Sequence, residues 1–113
     1  MKKIYHLSTC STCRNILREM DAEAHGFELQ DVKQQHVSEQ ELDAIKEATG
    51  SYESLLNRRS RQYRGLGLHE QVLTEADYRR YILQEYALLK RPIVLDSGLT
   101  LVGSHAVKKH YLR

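Results

Sequence analysis

The start of the chain alternates between strand and helix patterns, and this order constrains the fold more than any other feature. KKIYHLS (residues 2–8) has the alternating apolar pattern of a strand, and both cysteines follow it directly. In RNILREMDAEAHG (residues 14–26) the apolar side chains share one helical face, and Gly26 indicates the end of that helix. FELQDV (residues 27–32) is a second strand candidate. This order predicts a βαβ unit with parallel strands and a right-handed crossover.

Capping signals predict helices in the middle of the chain. Ser38 is followed three residues later by a glutamate, the spacing of a capping box, so we predict a helix from there to about Gly50. A short helix is predicted over SYESLLNRR (residues 51–59). Thr74, with an aspartate three residues later, predicts the start of another helix. Its tyrosines recur at helical spacing as far as Tyr86, and we expect them to pack in and around the core.

The last part of the chain has the pattern of a β-hairpin followed by a helix. PIVL (residues 92–95) and LTLV (residues 99–102) are rich in leucine and β-branched residues, and DSG (residues 96–98) supplies the turn between them. Ser104 is placed to cap a short helix over residues 106–111. The chain therefore ends in the order ββα.

The complete order of elements, βαβ, a helical block and ββα, predicts an α/β protein. We expect a single domain over residues 1–113 with a thioredoxin-like fold and a helical insertion between its two halves. Pro92, the only proline, opens the third strand, where proline is tolerated. Because thioredoxin-like folds place a cis-proline at this point, we predict a cis Arg91–Pro92 bond and a structural role for Pro92.

Composition and charge exclude several classes of protein. A chain of 113 residues that is 41% hydrophobic can form one core, and no window approaches the roughly 18 apolar residues of a membrane span. The amino terminus lacks the apolar region of a signal peptide. The net charge of +2 is small, and no helix-turn-helix or aromatic-basic surface is visible, so we expect no direct binding of nucleic acid. We therefore predict a soluble cytoplasmic protein with no membrane partner.

The two cysteines, Cys10 and Cys13, lie at the predicted start of the first helix. The free N–H groups and the dipole of a helix N-terminus favour a thiolate, which is the nucleophilic form of cysteine. Cys10 is the candidate nucleophile, and Cys13, one turn into the helix, can attack an adduct on Cys10 and release it as a disulfide. His6 lies four residues before Cys10, where an imidazolium would favour the thiolate. Arg14 adds a positive charge beside the pair and is a candidate for substrate binding.

Two other interpretations of the cysteine pair stay open. The cysteines can be ordinary core residues, or they can contribute to a structural zinc site. Such a site usually needs four ligands, and the chain has one CxxC pair and six histidines without the matching spacing. In a cytoplasmic protein a CxxC pair is more often catalytic or metal-binding than a structural disulfide. We expect no bound metal and no bound cofactor, since a dinucleotide-binding pattern is also missing.

Three stretches of the chain match one known family in order and spacing. They are IYHLSTCSTCRNIL (residues 4–17), LLNRRSRQYRGLGL (residues 55–68) and LLKRPIVL (residues 88–95). Together they resemble the glutaredoxin-coupled arsenate reductase (ArsC) family, which also includes the Spx transcription regulators. The resemblance covers nearly the whole chain.

The resemblance implies a role for each matching residue. Cys10 falls at the nucleophile that attacks the oxyanion, and His6 falls at the histidine thought to favour its thiolate. Arg91 matches an arginine that contacts the oxyanion. Arg59 matches an arginine shared by Spx-like and reductase-like members, and Arg58 is a second candidate for that position. The implied activity is the thiol-dependent reduction of arsenate or another small oxidised substrate.

Two positions differ from the reductases of this family. Cys13 stands where they have a serine and completes the CxxC pattern seen in Spx, and Gly103 lies in the region where they carry a third arginine. The resemblance implies glutathione as the reductant and glutaredoxin or thioredoxin as the protein partner. The alternative that it implies is an Spx-like regulator, in which the cysteines act as a redox switch and the protein binds the α subunit of RNA polymerase.

Overall fold

The computed structural model describes residues 1–112, which fall into two compact units. The second unit is His36–Lys90, and the first joins Met1–Gln35 to the part of the chain after Lys90. The single-domain organisation stays a prediction. None of the described helices is both long and apolar enough to cross a membrane.

A four-stranded sheet lies in the first unit. Its strands are β1 (Lys2–His6), β2 (Glu28–Asp31), β3 (Ile93–Asp96) and β4 (Leu99–Val102). Their order is β2-β1-β3-β4, with β1 parallel to β2 and antiparallel to β3, and β3 antiparallel to β4. The predicted βαβ and ββα halves are therefore confirmed, and they share this one sheet.

The described chain also forms α-helices and short 3-10 helices. The α-helices are α1 (Ser11–Met20), α2 (Glu39–Thr49), α3 (Arg61–Gly65), α4 (Glu75–Gln84) and α5 (Ser104–Tyr111). The 3-10 helices are Glu53–Leu55, Leu68–Glu70 and Tyr86–Leu88. Since α2 to α4 all lie between β2 and β3, the helical insertion and the α/β, thioredoxin-like class are confirmed.

The core of the first unit lies between the sheet and the helices α1 and α5. Its buried members come from both halves of the unit: Ile4, Ile16, Met20, Ala22, Phe27, Val94 and Val107. Ile16 and Met20 share one face of α1, as their helical spacing predicts. This packing fixes α1 against the end of β1, and the two cysteines lie at that junction.

Both predicted capping boxes are present. The Ser38 hydroxyl accepts the N–H of Glu41 at 3.0 Å, and the Glu41 carboxylate accepts the N–H of Ser38 at 2.9 Å. Thr74 and Asp77 repeat this exchange at 3.2 and 2.9 Å. Gly50 ends α2 with a φ of 102°, a backbone conformation that favours glycine. Local side-chain chemistry therefore decides where these helices begin and end.

The hairpin and the proline also agree with the sequence prediction. The turn between β3 and β4 has positive φ at Ser97 (51°) and at Gly98 (94°), which is the geometry of a two-residue type I′ turn. The peptide bond between Arg91 and Pro92 is cis. Pro92 is buried where β3 begins.

The first helix ends earlier than the sequence predicts. α1 stops at Met20, and Asp21 adopts the left-handed conformation with a φ of 51°. The N–H groups of Asp21 and Ala22 then bond back to the carbonyls of Arg18 and Leu17, at 3.1 and 3.2 Å. This closure resembles a Schellman motif, and it satisfies the last carbonyls of the helix before Gly26 is reached. The aspartate replaces the expected glycine because Asp tolerates this conformation.

Three further predictions of helix position are wrong in detail. The helix over residues 51–59 is only a 3-10 turn, because the chain is extended at Leu56 and forms a bridge with Leu89. Tyr86 lies outside α4, since the extended backbone of Glu85 ends that helix. Gly103, and not Ser104, is the residue before α5, because the backbone there has a φ of 90°.

Candidate active site

A short loop joins β1 to α1 and carries Cys10. Cys10 is the N-cap of α1, and its N–H donates to the carbonyl of Leu7 at 3.0 Å. Cys13 lies in the first turn of the same helix and is fully buried, whereas Cys10 is half-buried. Both thiols are free. The thiol of Cys10 is therefore the more accessible of the two, as the sequence predicts.

The surroundings of Cys10 favour its thiolate. Burial alone would raise the pKa of this thiol, but four other influences outweigh it and the pKa is lowered. They are hydrogen bonds from the N–H and thiol of Cys13, the positive charge of Arg91, and the N–H of Thr12. The free N–H groups of the first helical turn therefore stabilise the thiolate form of Cys10.

Cys13 shows the opposite behaviour. Burial and, to a smaller extent, the neighbouring Cys10 raise the pKa of its thiol to about 11, against the opposing effects of a backbone hydrogen bond at Leu7 and the charge of Arg91. Cys13 is consequently a neutral thiol at physiological pH, with an S–H that can be donated to Cys10. One nucleophilic and one protonated sulfur in the same helical turn is the arrangement that a dithiol redox couple needs.

His6 ends β1 and is only partly exposed. Burial lowers the pKa of its imidazole, and the carboxylate of Asp31 opposes this effect without reversing it. The imidazolium expected from the sequence is therefore not the favoured form at neutral pH. The positive charge that acts on the Cys10 sulfur comes from Arg91 instead. The catalytic role of His6 stays a prediction.

The four arginines that the sequence predicts for substrate binding fall into two groups. Arg91, just before β3, belongs to the first unit and acts on both cysteines, while Arg14 donates from Nη1 to the carbonyl of Ser8 at 2.8 Å. Arg58 and Arg59 are exposed and belong to the second unit, where Arg58 pairs with Glu53 at 3.1 Å. The structure thus brings Arg91 and Arg14 to the cysteine loop, and substrate binding by all four arginines stays a prediction.

Asp31, the last residue of β2, is a member of this site that the sequence analysis missed. Its Oδ1 accepts the N–H of Ser8 at 3.2 Å and the N–H of Lys33 at 3.1 Å. It also pairs with His6 in the register of the two parallel strands. The signal that could have found it is the βαβ pattern, because the carboxyl ends of neighbouring parallel strands lie side by side.

No group of three or more histidine, cysteine, aspartate or glutamate side chains that could hold a metal ion occurs within residues 1–112. The chemical groups that the structure places at the loop are two sulfurs, one imidazole, one carboxylate and two guanidinium groups.

Comparisons with known proteins agree with this architecture. The model of the ArsC family matches residues 5–108. The arsenate reductase from Vibrio cholerae has a TM-score of 0.81 at 19% identity, over 98% of this chain and 97% of that chain. SACOL0876 from Staphylococcus aureus COL has a TM-score of 0.76 at 24% identity, over 99% of this chain and 98% of that chain.

A third similar structure is an arsenate reductase (ArsC) related protein from Brucella melitensis. Its TM-score is 0.72 at 23% identity, over 90% of this chain and 85% of that chain. At sequence identities below 25%, these structural similarities show a shared fold. A search of curated proteins found no match to this chain.

Proposed function

Because the chain belongs to the ArsC family, we propose that it is a thiol-dependent oxidoreductase in which Cys10 attacks arsenate or another small oxyanion. One observation carries the proposal, namely the opposite behaviour of two thiols in one helical turn. The pKa of Cys10 is lowered and that of Cys13 is raised to about 11. Cys10 is therefore ready to attack, while Cys13 keeps its proton until an adduct has formed.

The proposed reaction with arsenate uses two electrons from two thiols. The Cys10 thiolate forms a sulfur–arsenic bond, and one arsenate oxygen leaves as water after taking up two protons. A second thiol, either Cys13 or glutathione, then loses its proton and attacks the Cys10 sulfur. The sulfur–arsenic bond breaks with its electron pair on arsenic, which leaves as arsenite, and the two sulfurs remain as a disulfide. Arsenic is thereby reduced from As(V) to As(III).

Positive charge is required at the adduct. Arg91 acts electrostatically on both sulfurs and is the first candidate to neutralise the oxyanion. Arg14 lies against the same loop, with one donor used by the carbonyl of Ser8. We propose that Arg59, with Arg58 as the second candidate, completes the set.

The disulfide must be reduced before another cycle. We propose glutathione as the reductant and glutaredoxin or thioredoxin as the protein partner, with no bound cofactor. This chemistry suits the cytoplasm, where glutathione and thioredoxin keep thiols reduced.

The first test is arsenate-dependent NADPH oxidation coupled through glutathione, glutaredoxin and glutathione reductase. Wild type, Cys10→Ser and Cys13→Ser are compared. We expect turnover in the wild type and its loss in Cys10→Ser. Turnover that survives in Cys13→Ser assigns the second sulfur to glutathione, and turnover that is lost there assigns it to Cys13. Full activity of Cys10→Ser would overturn the proposal.

An exposed group of arginines favours a second candidate function. Arg58, Arg59, Arg61 and Arg64 all lie on the surface of the second unit. They suit an acidic protein partner, and the cysteine pair would then act as a switch for an Spx-like regulator. A pull-down with the C-terminal domain of the polymerase α subunit tests this candidate. Binding that does not depend on the redox state of the two cysteines, or no binding, would exclude it.

A further inference from the structure

The carboxylate of Asp31 is held in a fixed position at the end of β2. One oxygen, Oδ1, accepts the N–H groups of Ser8 and Lys33 at 3.2 and 3.1 Å. The other, Oδ2, is fully buried, and the side chain of Ser8 also hydrogen-bonds to this carboxylate and lowers its pKa. Burying part of a carboxylate costs free energy unless hydrogen bonds satisfy it, so the bonds to Ser8 and Lys33 hold this side chain at the end of β2.

The residue that Asp31 holds is part of the nucleophile's loop. The N–H of Ser8 binds Asp31, and the carbonyl of Ser8 accepts a hydrogen bond from Arg14 at 2.8 Å. Ser8 is therefore fixed at both of its backbone polar groups by side chains of opposite charge. Since Cys10 donates its own N–H to Leu7 at 3.0 Å, little freedom remains in the chain between the end of β1 and α1.

The same carboxylate neighbours His6. The two residues pair in the parallel register of β1 and β2, and the N–H of Val32 binds the carbonyl of His6 at 2.8 Å. Their charges influence each other, since the carboxylate raises the pKa of the imidazole against the effect of burial. Asp31 thus binds the loop by hydrogen bonds and acts on His6 electrostatically.

We propose that Asp31 is a positioning residue of the active site, whose carboxylate holds the Ser8 peptide so that the Cys10 sulfur faces the N–H groups of α1, and whose negative charge acts on the neighbouring imidazole of His6. The inference rests on the proposed function, because it takes Cys10 as the nucleophile. Asp31 does not touch the reacting atoms in this scheme. It acts through the loop and through the imidazole.

The test compares Asp31→Ala and Asp31→Asn with the wild type. Alkylation of Cys10 by iodoacetamide is followed against pH by mass spectrometry, which separates Cys10 from the buried Cys13. Asparagine keeps an oxygen that can accept the two N–H groups, whereas alanine keeps none. We expect Asp31→Ala to slow alkylation at neutral pH severalfold and to move its pH midpoint upward, and Asp31→Asn to stay close to the wild type.

The second readout is the NMR titration of the His6 ring. Both variants remove the negative charge, so the midpoint of His6 should fall in both, although only the alanine variant loosens the loop. A purely structural role would leave the midpoint of His6 unchanged in a folded Asp31→Asn protein. Glu28→Gln, at the other end of β2, is the matched control and should change neither readout.

The outcomes separate this inference from the proposed function. A wild-type Cys10 that alkylates with the midpoint of an ordinary cysteine would overturn the proposed function. If the pH midpoint of Cys10 alkylation is low in the wild type and Asp31→Ala does not change it, the positioning role of Asp31 is overturned and the proposed function is not. If Asp31→Ala does not fold, an unchanged His6 midpoint in Asp31→Asn has the same consequence.

Discussion

The thiol of Cys13 faces the sulfur of Cys10 across the first turn of α1 and donates a hydrogen bond to its thiolate. This relationship couples the two cysteines before any substrate is present. Burial keeps the proton on Cys13, and that proton in turn stabilises the charge on Cys10. We propose that this difference in burial within a single helical turn assigns the roles of attacking and resolving sulfur.

The first prediction concerns this hydrogen bond. Cys13→Ala removes the donor and should raise the pKa of Cys10, so that its alkylation at pH 7 slows severalfold. Cys13→Ser keeps a donor at the same place and should slow it less. Equal rates in the alanine variant and the wild type would show that the Cys13 thiol does not stabilise the Cys10 thiolate.

The second prediction concerns the charge of Arg91. Since this guanidinium lowers the pKa of both thiols, Arg91→Gln should move the pH profile of Cys10 alkylation upward and slow the reaction at neutral pH severalfold. Arg18→Gln, on the exposed side of α1, removes a charge outside the site and is the control. A shift of the same size in both variants would assign the effect to net charge alone.

The third prediction concerns the stability of the second unit at low pH. Arg79 donates from Nε and Nη2 to the two oxygens of Asp43 at 2.9 and 3.1 Å, and Tyr52 donates to the same carboxylate. These bonds lower the pKa of Asp43 from 3.8 to about 2. Because the folded value is the lower one, the stabilisation is complete above the unfolded value and disappears as the pH falls through about 2.

Asp43→Asn should therefore lower the melting temperature by a few degrees at pH 7, and the difference from the wild type should shrink between pH 4 and pH 2. Thermal unfolding followed by circular dichroism at several pH values measures both. Glu19→Gln, exposed in α1, is the control and should leave the melting temperature nearly unchanged. A difference for Asp43→Asn that does not vary with pH would contradict the assignment.

The fourth prediction concerns the end of α5. The hydroxyl of Tyr111 donates to Asp96 Oδ2 at 2.7 Å, and its ring meets that of Phe27 edge to face with centroids 6.2 Å apart. Tyr111→Phe removes only the hydrogen bond and should lower the free energy of unfolding by about 1 kcal/mol. Tyr111→Leu also removes the ring contact and should cost more. Urea denaturation measures both, and equal losses would assign the whole effect to the hydroxyl.

Several features of the fold were predictable because their causes are local. The capping boxes at Ser38 and Thr74 and the turn at Ser97 depend on residues within a few positions of one another. The end of α1 was not predictable in the same way. Asp21 takes a conformation that glycine usually adopts, and the sequence pattern pointed to Gly26 instead.

The candidate site also combines features that were predictable from the sequence with features that depend on the tertiary structure. The sequence by itself determined the two cysteines, their place at a helix N-terminus and the predicted partners of Cys10. Only the tertiary structure decided that Cys13 is fully buried, that His6 favours its neutral form and that Asp31 holds the loop. The physical reason is that ionisation depends on burial and on charges from distant parts of the chain. Pairing of β1 with β2 brings Asp31 next to His6, although the two residues are 25 positions apart in the sequence. The effect of one on the ionisation of the other therefore cannot be read from neighbouring residues alone.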